Sequence, residues 1–248
     1  GGVFRVPTPR QLADLRARLA SSVETFNRVA KVVLANADKL PAFERGTEYI
    51  GLRADDEYAL YDGVIASTDT GDHPVDDYES VVNEHLVPYS TAKFTKHARD
   101  SYMVGALARF NLNADLLRPL AKKWAGEFGL SPVCTNPYMN NVAQLVECAH
   151  CVEDSIALID GLLSGGLQPH DRVEVTPRAG RGISGVEVPR GILFHDYTYD
   201  DKGICTRANC VIPTNQNHLN INKDFESCLL YTSPSPRDRT RTRMPSSA

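Results

Sequence analysis

Residues 136–163 read NPYMNNVAQLVECAHCVEDSIALIDGLL, and they carry the strongest structural pattern in the chain. Their apolar residues recur at steps of three and four, which predicts an amphipathic helix with one buried face. The members of that stripe are Val142, Leu145, Val146, Ala149, Val152, Ile156, Ile159 and Leu163. Gly165 and Gly166 follow, and glycine is typical of a helix end.

A second long helix is predicted upstream, over residues 8–39. Thr8 is a preferred N-cap residue, Pro9 suits the first helical position, and apolar residues again recur at helical spacing. Shorter helices are predicted over 75–87 and over 114–128, the latter kinked or broken at its proline.

Strands are predicted where the period changes to two or where β-branched and aromatic residues cluster. They cover residues 49–52, 58–66, 172–176, 191–200 and 205–212. Asp62-Gly63 is a turn signal inside the second strand, and residues 201–203 predict a tight turn between the last two. The chain is therefore expected to be a mainly helical α+β protein, with a long-helix bundle beside a small antiparallel sheet.

The composition of the 248 residues is that of an ordinary globular protein, with 42% hydrophobic and 23% charged residues. No apolar run approaches the ~20 residues of a membrane helix, and no secretory signal is visible. The first 226 residues carry a net charge of −7. Because nucleic-acid binding needs a basic face, this charge argues against a nucleic-acid partner.

The last 22 residues, 227–248, differ from the rest of the chain. They are rich in Ser, Pro, Arg and Thr without amphipathic periodicity, which predicts a disordered or linker-like tail. The segment also resembles translated sequencing-adapter read-through, and a genuine basic tail is the alternative. The domain division expected is therefore 1–226 and 227–248.

Cys148-Ala149-His150-Cys151 has the spacing of two thiolates that can share a metal ion. A four-ligand site needs a second pair, and the sequence contains no other C-x-x-C. The motif also lies midway along an apolar helix, where cysteine packs as a small hydrophobe. Core packing is therefore the favoured interpretation. A zinc scaffold would require two further ligands and both thiols exposed.

The letters of residues 180–185, GRGISG, fit the G-x-G-x-x-G fingerprint of dinucleotide sites. That site needs a helix directly after the glycines, with its N-terminus at the pyrophosphate. Here Pro189 and a predicted strand follow instead. The glycines are therefore interpreted as a flexible turn that lets the backbone approach a neighbour closely.

Val188-Pro189-Arg190-Gly191 places an arginine on a stiff turn before a strand. An arginine held in this way suits bidentate contact with a buried anion, and a surface arginine is the alternative.

Four blocks, in this order along the chain, give it a family resemblance. They are residues 84–90 (EHLVPYS), 102–109 (YMVGALAR), 180–197 (GRGISGVEVPRGILFHDY) and 211–217 (VIPTNQN). Together they resemble the large, catalytic subunit of nickel–iron hydrogenases, over residues 1–226. The residue patterns of these blocks are most similar to the cytosolic, NAD(P)-linked or sulfhydrogenase-like branch, which implies a cytoplasmic protein.

The resemblance implies a defined chemistry and a defined set of partners. In that family, four cysteine thiolates from two C-x-x-C pairs hold nickel, and two of them bridge to an iron that carries CO and cyanide. H₂ is split heterolytically, and the electrons leave through an iron–sulfur small subunit, with NAD(P)-reductase subunits as possible further partners. Neither cysteine pair is recognisable here, because Cys148 and Cys151 lack the flanking residues of both motifs. An internal fragment, inactive alone and unable to hold the Ni–Fe(CN)₂CO centre, is therefore expected.

The resemblance implies that two residues, Arg190 and Thr214, match positions around that centre, each beside a proline. Arg190 aligns with the family arginine suspended over the metals, where its guanidinium can donate to a cyanide and is a proposed base. Because a guanidinium is a poor base in water, we expect Arg190 to contribute as a fixed cation. Thr214 aligns with the residue whose hydroxyl and N–H meet the other cyanide. By the same resemblance, Pro189 is expected to form a rigid apolar wall against the CO and cyanide ligands, and Pro213, directly before Thr214, is expected to belong to the cofactor-binding residues.

Other interpretations remain open from the sequence alone. His195 and Asp196 are either proton-relay groups or ordinary strand residues. The metal-free quinone-site subunit of complex I, which shares the fold, is one alternative, and it lacks the cysteines because it binds no metal. An arginine–threonine pair that contacts cyanide would have no ligand to bind in that subunit. A non-enzymatic interaction module built on the long helices would show no polar convergence near the glycine-rich turn.

Overall fold

The computed structural model describes residues 6–167 and 176–231. Two long helices, α1 (Pro9–Leu34) and α5 (Asn140–Gly165), pack against each other and confirm the two strongest predictions from periodicity. The Thr8 side chain accepts a hydrogen bond from the Gln11 N–H, while the Thr8 N–H donates to Gln11 Oε1 at 2.9 Å. This reciprocal capping box explains why α1 begins where the sequence predicts.

Four further α-helices and four short 3₁₀ helices complete the helical part of the described residues. The α-helices are α2 (Tyr78–Val81), α3 (Ala106–Asn113), α4 (Pro119–Glu127) and α6 (Pro213–Tyr231). The predicted helix over 114–128 is split, since 114–116 form a 3₁₀ turn and Pro119 starts α4 instead of kinking a longer helix. Prolines occupy the first position of both α4 and α6, where a missing N–H costs nothing.

The described residues contain nine strands. They are β1 (Glu48–Arg53), β2 (Val64–Ser67), β3 (Gly71–His73), β4 (Asn83–Val87), β5 (Ser90–Lys96), β6 (Tyr102–Met103), β7 (Gly180–Val188), β8 (Gly191–Tyr199) and β9 (Cys205–Val211). They form a four-stranded sheet in the order β3-β2-β1-β6, a β4-β5 hairpin and the antiparallel sheet β7-β8-β9. The prediction of a mainly helical α+β fold with a small antiparallel sheet is confirmed.

Two predictions for residues 58–87 are partly wrong, because partners distant in the sequence decide these segments. Of the predicted strand over 58–66, only the last three residues are in a strand, β2 (Val64–Ser67). Tyr58 instead donates a hydrogen bond from its hydroxyl to Glu147 of α5 at 2.7 Å. Of the predicted helix over 75–87, the last five residues form β4 because they pair with β5.

The flexible turn predicted for residues 180–185 is also wrong. These residues are the first part of β7, which pairs with β8 along its full length. Glycines weaken a strand, but this pairing overrides that preference. The predicted strand over 172–176 lies almost wholly outside the described residues, as do residues 232–248 of the predicted tail. Helix α6 extends five residues past the expected boundary at 226, which stays a prediction.

Strand β1 connects two hydrophobic cores. Tyr49 packs in the core formed mainly by α3, α4 and α5, whereas Ile50 and Leu52 pack in the core around β8 and α2. All three side chains are at most 1% exposed. No helix of the described residues is both long and apolar enough to cross a bilayer.

Candidate functional site

The turn between β7 and β8 presents Pro189 and Arg190. Val188 pairs with Gly191, so that the loop contains only these two residues. Gly191 has a φ of +135°, and a Cβ there would lie 2.3 Å from Val104 Cγ2. Only glycine fits this position, because it lacks the Cβ that would clash with Val104.

The segment before α3 holds this turn from the other side. Gly105 has a φ of +115°, and a Cβ there would lie 3.0 Å from the Arg190 carbonyl oxygen. Asn217 of α6 donates from Nδ2 to that same oxygen at 3.2 Å, while its Oδ1 accepts from the Val104 N–H at 2.9 Å. The Asn217 side chain therefore connects α6 both to the Arg190 turn and to the segment before α3.

A cavity of about 260 Å³ lies where the turn, α5 and α6 meet. Its lining residues are Val104, Gly105, Asn140, Gln144, Pro189, Arg190, Thr214, Asn217 and Ile221. Three of the four residues singled out from the sequence, Pro189, Arg190 and Thr214, thus line one cavity. Pro213 is not in this lining; it begins α6 and places Thr214 at the second helical position.

The cavity is electrostatically suited to an anion. Across the described ranges, no carboxylate lies within salt-bridge distance of the exposed Arg190 guanidinium. Thr214 adds a hydroxyl and the first backbone N–H of α6, at the positive end of the helix dipole. The wall therefore offers a cation, hydrogen-bond donors and a stiff apolar proline.

Metal ligands are a different matter. In residues 6–167 and 176–231, no group of three or more His, Cys, Asp and Glu side chains is placed to hold a metal ion. The described donor set therefore does not fit the direct ligation of a metal centre. What the cavity supplies is a wall suited to anionic groups.

The Cys148–Cys151 motif is only partly as predicted. Ala149 and His150 are buried, but both thiols are exposed, so the expectation that the cysteines pack in the core is wrong. Cys148 and Cys151 lie three residues apart on one face of α5, and the buried stripe through Val146, Ala149 and His150 runs along the opposite face. Zinc binding would need further ligands, and the part of the chain that the structure describes groups none with these thiols.

His195 and Asp196 alternate along β8 and point to opposite faces of the sheet. Asp196 is buried, where it accepts two hydrogen bonds from Arg181 at 2.8 Å and one from Tyr78 at 2.9 Å. The bonds from the Arg181 guanidinium hold the pKa of Asp196 at about 2. His195 Nδ1 lies 2.9 Å from the Tyr197 hydroxyl. Neither residue lines the Arg190 cavity.

Sequence reasoning overlooked Arg109. Arg109 stands in the apolar helix segment ALARFNL, and an arginine in such a segment is a signal of a buried ion pair. Its guanidinium contacts Glu147 of α5 and Glu187 of β7, and its side chain is 2% exposed. These partners lie 38 and 78 residues away, so the chain's order does not reveal them.

Similarity searches relate the chain to hydrogenases. No family model matches it. It is 31% identical to Sulfhydrogenase 1 subunit alpha of Pyrococcus furiosus, over 86% of this chain and 50% of that protein. It is 30% identical to the NAD-reducing hydrogenase HoxS subunit beta of Cupriavidus necator, over 70% of this chain and 38% of that protein.

Solved structures agree with these relatives. A structure of NAD⁺-reducing [NiFe]-hydrogenase in the H₂-reduced state superposes with a TM-score of 0.71 at 22% identity, covering 96% of this chain and 57% of the other. The Ni-Fe-Se hydrogenase of D. vulgaris Hildenborough gives a TM-score of 0.59 at 18% identity, covering 88% and 53%. The chain is therefore a homologue of the nickel–iron hydrogenase large subunits, and it spans about half the length of the curated relatives that it matches.

Proposed function

We propose that this chain forms one wall of the active site in the catalytic subunit of a nickel–iron hydrogenase, which oxidises H₂ or reduces protons. The observation that carries the proposal is the shared cavity of Arg190 and Thr214, in a chain homologous to hydrogenase subunits. The nickel–iron centre, when bound, supplies the redox chemistry of H₂.

The chain's own residues bind and orient the anionic ligands of that centre. Arg190 presents a permanent cation with several N–H donors, and a guanidinium can hold an anion at a fixed angle. Thr214 donates from its hydroxyl and its N–H at the start of α6, while Pro189 stiffens the turn and keeps that part of the wall apolar. A preorganised positive wall of this kind stabilises developing negative charge without reorganisation.

The proposal includes partners and a location. We infer an iron–sulfur small subunit as electron acceptor, because P. furiosus subunit alpha and C. necator subunit beta are by name parts of multisubunit hydrogenases. The second name also supports an NAD(P)-reducing module, and we infer a cytoplasmic location because NAD(P) is a cytoplasmic coenzyme.

The test uses the complete subunit assembled with its small subunit and measures H₂-dependent reduction of a viologen dye. Arg190→Lys keeps the charge but loses the planar donor fork, so that the rate should fall about 100-fold. The infrared bands of the cyanide ligands should shift as well. Arg181→Lys is the matched control, because Arg181 lies on β7 outside the cavity. An Arg190→Lys enzyme with wild-type rate and bands would refute the assignment.

A further inference from the structure

We propose that Arg109 is the positioning residue for Arg190: its buried guanidinium fixes the backbone of the turn that places Arg190 in the lining of the cavity. This proposal rests on the proposed function only in so far as that function assigns Arg190 a role in the active site. The contacts of Arg109 stand independently of that function.

Every N–H of the Arg109 guanidinium has an acceptor. Nε and Nη2 donate to the two carboxylate oxygens of Glu147 at 2.6 and 2.7 Å. Nη1 donates to Glu187 at 2.7 Å and to the Val188 carbonyl at 3.0 Å, and Nη2 also donates to the Pro189 carbonyl at 3.4 Å. Two of these five bonds therefore hold the two carbonyls that directly precede Arg190.

Burial makes this arrangement stiff. The side chains of Arg109 and Glu187 are 2% and 0% exposed, and that of Glu147 is 13% exposed. Two carboxylates share one guanidinium, so the cluster carries one uncompensated negative charge, and burial raises the pKa of Glu187. Moving Arg109 would leave the buried carboxylate of Glu187 without its counter-charge, which is strongly unfavourable.

The cluster also ties the turn to rigid elements on both sides. Glu187 accepts the Leu52 N–H of β1 at 2.8 Å, so the last part of β7 cannot shift along the first sheet. The Arg109 N–H donates to the Gly105 carbonyl at 2.9 Å, and Gly105 packs against the Arg190 carbonyl. The first turn of α3 therefore contacts the Arg190 turn in two ways. The Arg109 side chain binds the residues before Arg190, and the Gly105 backbone packs against Arg190 itself.

A role in stability alone is the competing explanation, and Arg181 separates the two. Arg181 also makes a bidentate pair with a buried carboxylate, that of Asp196, and it also starts from β7. It contacts neither Val188 nor Pro189. Lysine at either position keeps the charge and loses the bidentate geometry, but only at position 109 does it release the turn.

The first arm of the test uses the purified full chain and NMR. Arg109→Lys should speed amide hydrogen exchange at Arg190 and Gly191 about tenfold, as expected when local opening becomes easier, and should shift the Arg190 Nε–H resonance. Arg181→Lys should leave these signals as in the wild type. If Arg109→Lys does not fold, Glu147→Gln should produce a smaller change at the same amides. Turn signals unchanged by either variant, or changed equally by Arg181→Lys, would overturn the proposal.

The second arm uses the assembled hydrogenase and a double-mutant cycle. If Arg109 acts through Arg190, then Arg109→Lys should slow H₂ oxidation in the wild-type background and have no further effect beside Arg190→Lys. Multiplicative losses would show that Arg109 acts independently and would overturn the proposal. A wild-type assembly that does not turn over H₂ would instead contradict the proposed function, and the NMR result would still decide the role of Arg109.

Discussion

At the scale of single residues, Asp196 is a carboxylate whose charge is maintained by its neighbours. Its side chain is fully buried, and Arg181 and Tyr78 donate to it. Asp196→Asn should lower the free energy of unfolding by about 2 kcal/mol at pH 7, because the buried carboxylate loses its bidentate charged pair with Arg181. Urea unfolding followed by circular dichroism measures this change.

The exposed pair of Arg16 and Asp160 is the matched control for that variant. It has the same bidentate geometry with side chains 41% and 48% exposed, so Asp160→Asn should lower the free energy of unfolding much less than Asp196→Asn does. Since the pKa of Asp196 is depressed to about 2, its contribution is complete above about pH 4 and is lost as the pH falls towards 2. Equal losses in the two variants would contradict the buried role of Asp196.

Substitution of Gly191 tests whether its close contact with Val104 positions the Arg190 turn. Gly191→Ala combines a positive φ with a clash against Val104, and it should destabilise the protein by about 3 kcal/mol. Gly71→Ala isolates the backbone term, because φ is +79° there with open space around the Cβ, and about 1 kcal/mol is expected. Urea midpoints compare the two, and similar losses would show that contact with Val104 is unimportant.

At the scale of elements, helix α4 takes its N-terminal cap from α5. The Arg118 N–H donates to His150 Nδ1 at 3.1 Å, and the Leu120 N–H donates to Glu153 at 2.7 Å. Burial lowers the pKa of His150, which keeps Nδ1 free to accept. A local sequence signal for this cap does not exist, because the capping residues lie more than thirty positions away.

This cap predicts a pH dependence. The folded state disfavours protonated His150, so stability should fall as the pH drops through about 6.5, where the unfolded chain takes up a proton. His150→Gln can still accept the Arg118 N–H and should flatten this slope. Unfolding midpoints at pH 7.5 and 5.5 measure this pH dependence of stability. His85→Gln is the control, because the His85 side chain caps no helix of the described residues. An unchanged slope in His150→Gln would exclude this origin.

At the scale of the whole molecule, β1 makes the two cores interdependent. Leu52 packs in the core around β8, whereas Trp124, the single tryptophan, packs beside the core of α3, α4 and α5. Leu52→Ala should cost about 3 kcal/mol and shift Trp124 fluorescence and far-ultraviolet circular dichroism together. Val32→Ala, at a position 65% exposed, should shift neither. A tryptophan transition that stays at the wild-type midpoint would show that the cores unfold separately.

Local sequence was sufficient for the elements whose pattern repeats within one segment. The long helices α1 and α5 follow from apolar periodicity and the Thr8 cap, and strands β8 and β9 follow from alternation and the turn between them. The Pro-Arg-Gly turn was predictable for the same reason, since proline and glycine restrict their own backbone angles. Helix α6 was not predicted, although Pro213 is a usable start signal.

Tertiary structure alone decided where these elements meet. The strand β7 forms despite its glycines because β8 pairs with it, and the cavity exists because α6 brings Thr214 and Asn217 to the Arg190 turn. The five donors of Arg109 find acceptors up to 80 residues away. Periodicity reports which face of an element is buried, whereas the partner against which it is buried depends on long-range packing and on pairing buried charges, which no short window of sequence contains.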